Sequence, residues 1–72
     1  MGRMAQIVAA RLIRALLRMG WIQLRQKGSH VVLGRGEARV TGPAHPILKE
    51  GLARAILKQA GVSEDEFFEH YR

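Results

Sequence analysis

Trp21-Ile22-Gln23-Leu24-Arg25-Gln26-Lys27-Gly28-Ser29-His30-Val31-Val32-Leu33 is where the chain changes period, and its reading decides the fold. Ile22 and Leu24 alternate with Gln23, Arg25 and Lys27, the pattern of a half-buried strand. Gly28-Ser29 fits a two-residue hairpin turn with glycine first, and His30 to Leu33 makes a second strand. If residues 28 and 29 form the turn, Lys27 pairs with His30, Gln26 with Val31, Arg25 with Val32 and Leu24 with Leu33. Opposed residues share a face, so Leu24, Val31 and Leu33 are expected on the core side, and Gln23, Arg25, Lys27 and His30 on the other. Gly34-Arg35-Gly36-Glu37 reads as a four-residue turn leading to a third strand, Ala38 to Thr41. That turn sets Arg39 beside Val32 and Thr41 beside His30.

On the N-terminal side, Val8, Leu12, Ala15, Leu16 and Met19 recur at helical spacing, with Arg11, Arg14 and Arg18 on another face. A helix is expected from about Met4 to Met19, stopped by Gly20 with Trp21 folding back on Leu16 or Ala15. On the C-terminal side, Gly42, Pro43 and Pro46 exclude regular structure until about Ile47. Leu48, Leu52, Ala55 and Ile56 form a second helical stripe ended by Gly61, with Arg54 and Lys58 on its outer side. Ser63 with Glu66 makes a capping box, and Val62 with Phe67 a hydrophobic staple, for a short third helix. The order predicts an α+β fold, α-β-β-β-α: a three-stranded antiparallel sheet with helices on one face and a short C-terminal helix. The other sheet face is left to solvent.

Seventy-two residues leave room for one small core, and 47% hydrophobic with 25% charged residues is an ordinary globular balance. Residues 1–72 are therefore expected to form a single domain. With no cysteine, disulfide staples, thiolate metal sites and cysteine nucleophiles are excluded, and a reducing cytoplasm fits. No apolar run approaches the ~18–20 residues of a membrane span. Gln6, Arg11 and Arg14 break the apolar start as a signal core, and Gln6 also stands where a myristoylation motif needs Ser or Thr. A soluble chain is expected. Its net charge of +6 is unevenly spread. Residues 1–62 hold eleven Lys/Arg against Glu37 and Glu50, a balance of +9, whereas residues 63–72 hold four acids and Arg72, a balance of −3. A basic body points to a polyanionic partner, nucleic acid first and an anionic membrane surface second.

The expected exposed face is a cationic patch of Arg25, Lys27 and Arg39 around His30. RNA cleavage needs a base for the 2′-hydroxyl, an acid for the leaving 5′-oxygen, and cations for the anionic transition state. A histidine can move protons near neutral pH, and Arg and Lys stabilise the phosphoryl charge. The plain alternative is a surface histidine beside a turn. His45, between Pro43 and Pro46, is a structural residue, or else a second proton carrier or phosphate contact, and His70 a solvated residue of the acidic last helix. The three histidines lack metal-ligand spacing, and neither a glycine-rich phosphate loop nor an acyl-transfer triad is present.

The run Gly20 to His30 resembles the signature of the HicA family of toxins. So does Ala55-Ile56-Leu57-Lys58-Gln59-Ala60-Gly61-Val62-Ser63 followed by Glu66-Phe67, and so do Val40-Thr41, Pro43 and His45-Pro46 between the two. Gly42 stands where members usually carry an aliphatic residue, and Leu52-Ala53 where Thr-Leu is usual. The resemblance implies a double-stranded-RNA-binding-like fold and metal-independent cleavage of mRNA without a cofactor, with His30 catalytic. It also implies a HicB-type antitoxin as partner. RNA contacts are expected from Arg25, Lys27, Gly28, Ser29, Arg39 and Lys58, and a cytoplasmic location is expected. A non-catalytic RNA-binding module using the same basic face is the other functional class. A structural protein whose charge attracts an acidic partner is the third.

Overall fold

Two glycines end the two main helices by the same hydrogen bonds, and these bonds set where the sheet begins. In a computed structural model that describes residues 2–43 and 46–72, the order is β1 (Ile7–Val8), α1 (Ala9–Arg18), β2 (Ile22–Lys27), β3 (His30–Arg35), β4 (Ala38–Pro43), β5 (Ile47–Leu48), α2 (Glu50–Ala60) and α3 (Glu64–His70). After α1, Gly20 turns left-handed (φ 96°), the Trp21 N–H donates to the Leu16 carbonyl at 3.0 Å, and the Gly20 N–H to Leu17 at 3.1 Å. This is the expected cap, with Trp21 and Leu16 both in the core. Gly61 ends α2 the same way, with Val62 donating to Leu57 at 3.0 Å.

β2, β3 and β4 form a three-stranded antiparallel sheet in chain order, and β1 pairs with β5 as a separate antiparallel ribbon. The α-β-β-β-α arrangement is as expected; the ribbon is an addition. It also shortens α1. The chain is extended at Ile7–Val8, after Gln6 adopts a positive φ of 57°, so the helix begins at Ala9 rather than near Met4. Met4 and Ile7 are still buried, but through a turn and a strand rather than a helical stripe.

The core lies between the helices and one face of the sheet. Phe67, Met4, Ile7, Leu16, Leu48 and Val40 are its largest fully buried side chains, with Val31 and Leu33 contributed by β3. The stripe of α2 has a different phase from that expected. Ala53, Ile56 and Leu57 are buried, Leu52 and Ala55 are exposed, and Leu48 reaches the core from β5 rather than from the helix. β4 runs through Gly42 to Pro43, two residues beyond the expected strand end, and β3 continues to Arg35. Proline is tolerated there because β4 is an edge strand. A Cβ at Gly42 would stand 3.6 Å from Ile56 Cδ1, an ordinary van der Waals distance.

The third helix starts as expected: Ser63 Oγ accepts from the Glu66 N–H at 3.1 Å, and Val62 and Phe67 are both buried. Its acids do more than cap it. Arg3 pairs with Asp65 at 3.0 Å, and Arg54 with Glu50 at 3.0 Å and with Glu64. The hydrogen bond to Glu50 is the largest cause holding the Arg54 guanidinium above its ordinary value; desolvation opposes it, and the charge and hydrogen bond of Glu64 add to the rise. These exposed pairs engage two of the four acids of the last segment, Glu64 and Asp65, within the helix layer.

Candidate functional site

The Gly28-Ser29 turn closes one end of the site and fixes its register. Gly28 has a φ of 59°, which a residue with a side chain adopts only with strain, and its Cβ position faces open space. Around this turn Lys27 pairs with His30, Gln26 with Val31 and Arg25 with Val32, as expected. Opposed residues in an antiparallel pair hold their Cβ atoms about 4.5–5.5 Å apart on one face. Lys27 and His30 are therefore direct neighbours on the outer face, with Arg25 two residues along the strand.

Beyond Arg25 the expected register breaks. A β-bulge between Gln23 and Arg25 pairs Gln23, not Leu24, with Leu33. Leu24 is therefore outside the core, 49% exposed, and lies over Gly34, where an added Cβ would come within 2.7 Å of Leu24 Cδ1. Gln23 moves the other way, off the outer face to the helix side, where it lines a groove with Val31. The sequence carries a parity clue to this bulge. Trp21 is held inward by the helix cap, and Gln26 is placed inward by the hairpin, yet they stand an odd number of residues apart. One extra residue must be absorbed between them.

The second turn also differs. Gly36-Glu37 is a two-residue turn, so Arg35 pairs with Ala38, Arg39 with Gly34, Thr41 with Val32 and Pro43 with His30. The four-residue turn expected at 34–37 put each β4 residue two places further along. A shift of two preserves the face, so Arg39 and Thr41 remain on the outer side. Arg39, however, stands at the far end and donates its guanidinium to the Gly36 and Ala38 carbonyls at 2.9 and 2.8 Å. The chemistry that identified Gly28-Ser29 as a two-residue turn applies equally to Gly36-Glu37.

The result is an open concavity of about 540 Å³ lined by Arg25, Lys27, Gly28, Ser29, His30, Val32 and Thr41. Five of these are expected site residues. Val32 forms an apolar floor, and Thr41 brings a hydroxyl from the neighbouring strand. Arg25, Lys27 and His30 are exposed, and among the described residues none has an ion-pair partner. The charges of Arg25 and Lys27 are uncompensated among the described residues. Lys58 is exposed on α2, in the helix layer rather than in this concavity. His45 lies outside the described residues. His70 is half-buried at the end of α3, and its carbonyl accepts from Arg18 Nη1 at 2.8 Å. Among the described residues no three His, Asp or Glu side chains gather where a metal ion could be held.

Among the described residues the concavity sets one imidazole beside two cations, an arrangement able to meet the negative charge of a phosphodiester and to move a proton. No helix among the described residues is long and apolar enough to cross a membrane. No curated protein matches the chain. The family model described as the HicA toxin of bacterial toxin–antitoxin matches residues 9–62, from the first residue of α1 through the cap of α2, and so includes the whole sheet. The chain belongs to the HicA toxin family of bacterial toxin–antitoxin systems.

Proposed function

We propose that residues 1–72 act as one endoribonuclease unit that cleaves mRNA in the cytoplasm and so arrests translation, without a metal ion or other cofactor, and that a HicB-type antitoxin holds it inactive. The observation that carries this reading is the grouping of His30 with the unpaired cations Arg25 and Lys27 around one open concavity. His30 serves as the general base and acid. The 2′-oxygen loses its proton to the imidazole and bonds to phosphorus, the P–O5′ bond breaks, and the 5′-oxygen takes up a proton. A 2′,3′-cyclic phosphate and a 5′-hydroxyl end result. Arg25 and Lys27 hold the phosphoryl oxygens as charge develops on them. Gly28 lets the phosphate approach the backbone closely, Ser29 offers a hydroxyl, and Arg39 and Lys58 meet the RNA chain further out. Lys27, paired with His30, is placed to share the proton transfers, and one imidazole performing two jobs makes a slow enzyme.

A single imidazole among the described residues of the concavity also favours a second reading, a non-catalytic RNA-binding module on the same face. Purified wild type and His30→Ala, incubated with labelled mRNA, separate the two. The variant is expected to keep its fold, because His30 is exposed, and to lose about 10²–10⁴ in cleavage rate. Equal cleavage by both proteins would remove His30 from the chemistry, and no cleavage by wild type would leave the binding module. Activity is expected to survive chelator.

A further inference from the structure

A second concavity, of about 510 Å³, lies on the helix side of the sheet, next to the edge strand β2. Its walls are Val8, Ile13, Val31 and Ile47, with Gln23 and Gln26 along the β2 rim. It exists because the helices leave β2 uncovered: all six of its residues are exposed. Ile47 (52%) and Leu17 (40%) extend the apolar surface outward. At about 100° per residue, Ala10, Ile13 and Leu17 form one row on α1, and Arg14 falls directly beside it.

We infer that this groove seats an aliphatic or aromatic side chain of the antitoxin, an acidic polypeptide that crosses the free edge of β2 and reaches the His30 face with its carboxylates. The inference rests on the antitoxin reading above and adds a second point of attachment to it. Charge supports the acidic partner: residues 1–62 carry a balance of +9, and Arg14, Arg25 and Lys27 have no ion-pair partner among the described residues. Continuity supports a single partner spanning both surfaces. Gln23 and Gln26 line the groove, whereas Arg25 and Lys27 line the site, so one six-residue strand separates the two. A polypeptide needs to cross only the width of a strand, about 5 Å, to touch both. The bulge disrupts the β2 ladder and blunts the edge against simple strand addition, so anchoring by a side chain is favoured over extension of the sheet. RNA suits the groove poorly. Among the described residues the walls hold aliphatic side chains and two amides, with neither an aromatic ring to stack on a base nor a cation to meet a phosphate.

Leu17→Glu and Ile47→Glu test the inference on exposed positions that hold no place in the cleavage site. Each folded variant, checked by its thermal melt, is titrated with purified HicB-type antitoxin and assayed separately on RNA. At least a tenfold rise in antitoxin Kd is expected, with RNA cleavage unchanged and with growth arrest despite co-expressed antitoxin. Antitoxin affinity unchanged in both variants would overturn the groove as a seat while leaving the partner intact. Weakened RNA binding at constant antitoxin affinity would give the groove to RNA. A dimer of wild type dissolved by either substitution would give it to a second copy of the chain. Failure of wild type to bind the antitoxin at all would overturn the partner reading, and the groove's occupant with it.

Discussion

Lys27 and His30 are neighbours because a glycine at position 28 closes a two-residue turn, and nothing longer-range is needed to bring them together. That is why Arg25, Lys27, Gly28, Ser29 and His30 could be grouped from the sequence. The positions that failed did so for equally local reasons: one bulge turned Leu24 outward and Gln23 inward, and one turn two residues shorter than expected carried Arg39 to the end of the face. At this scale Arg25→Ala and Lys27→Ala are each expected to weaken RNA binding. Each should also lower the slope of log K against log salt by about 0.7 for every phosphate of a single strand that the removed cation had neutralised. Arg39→Ala and Lys58→Ala should lower it less, since Arg39 already spends its guanidinium on two carbonyls and Lys58 lies in the helix layer. Titrations at several salt concentrations decide the matter. Slopes unchanged in both Arg25→Ala and Lys27→Ala would move the RNA off this face.

The elements divide by whether their signals are local. The caps at Gly20 and Gly61, the Ser63 box and the Gly28 turn each depend on residues within one turn of chain, and each was readable. The start of α1 was not, because Ile7 and Val8 are held extended by Ile47 and Leu48, forty residues away. The phase of α2 differs through the same ribbon: Leu48 belongs to the strand, and of the stripe positions counted from it Leu52 and Ala55 are exposed while Ile56 is buried. The Gly28 turn supplies the element-scale prediction. Gly28→Ala forces a side chain into a left-handed conformation, a cost of about 1–2 kcal/mol. For a chain this short each 1 kcal/mol lowers the thermal midpoint by about 4–8 °C. Cleavage should fall as well, because the turn sets His30 against Lys27. An unchanged melt would mean that the hairpin does not hold this conformation in solution.

Across the molecule, charge is sorted rather than balanced. Arg3 and Arg54 are engaged by Glu64, Asp65 and Glu50 on the helix side, while the cations of the sheet face have no ion-pair partner among the described residues. The acidic tail therefore leaves the basic face open to an outside partner. Association with an acidic antitoxin is expected to be fast and strongly salt-sensitive, and the complex should no longer bind RNA. Stopped-flow mixing at low and high salt measures the first, and a gel shift of the purified complex the second; RNA binding equal to that of the free protein would place the antitoxin elsewhere. Trp21, the sole tryptophan, is only 2% exposed, its indole N–H meets no acceptor among the described residues, and it is covered by the Arg35 guanidinium at 5.4 Å. Its fluorescence is thus a single-site optical gauge of folding: blue-shifted while α1 and β2 stay joined, red-shifted when water reaches the ring, and insulated from RNA bound on the opposite face of the sheet.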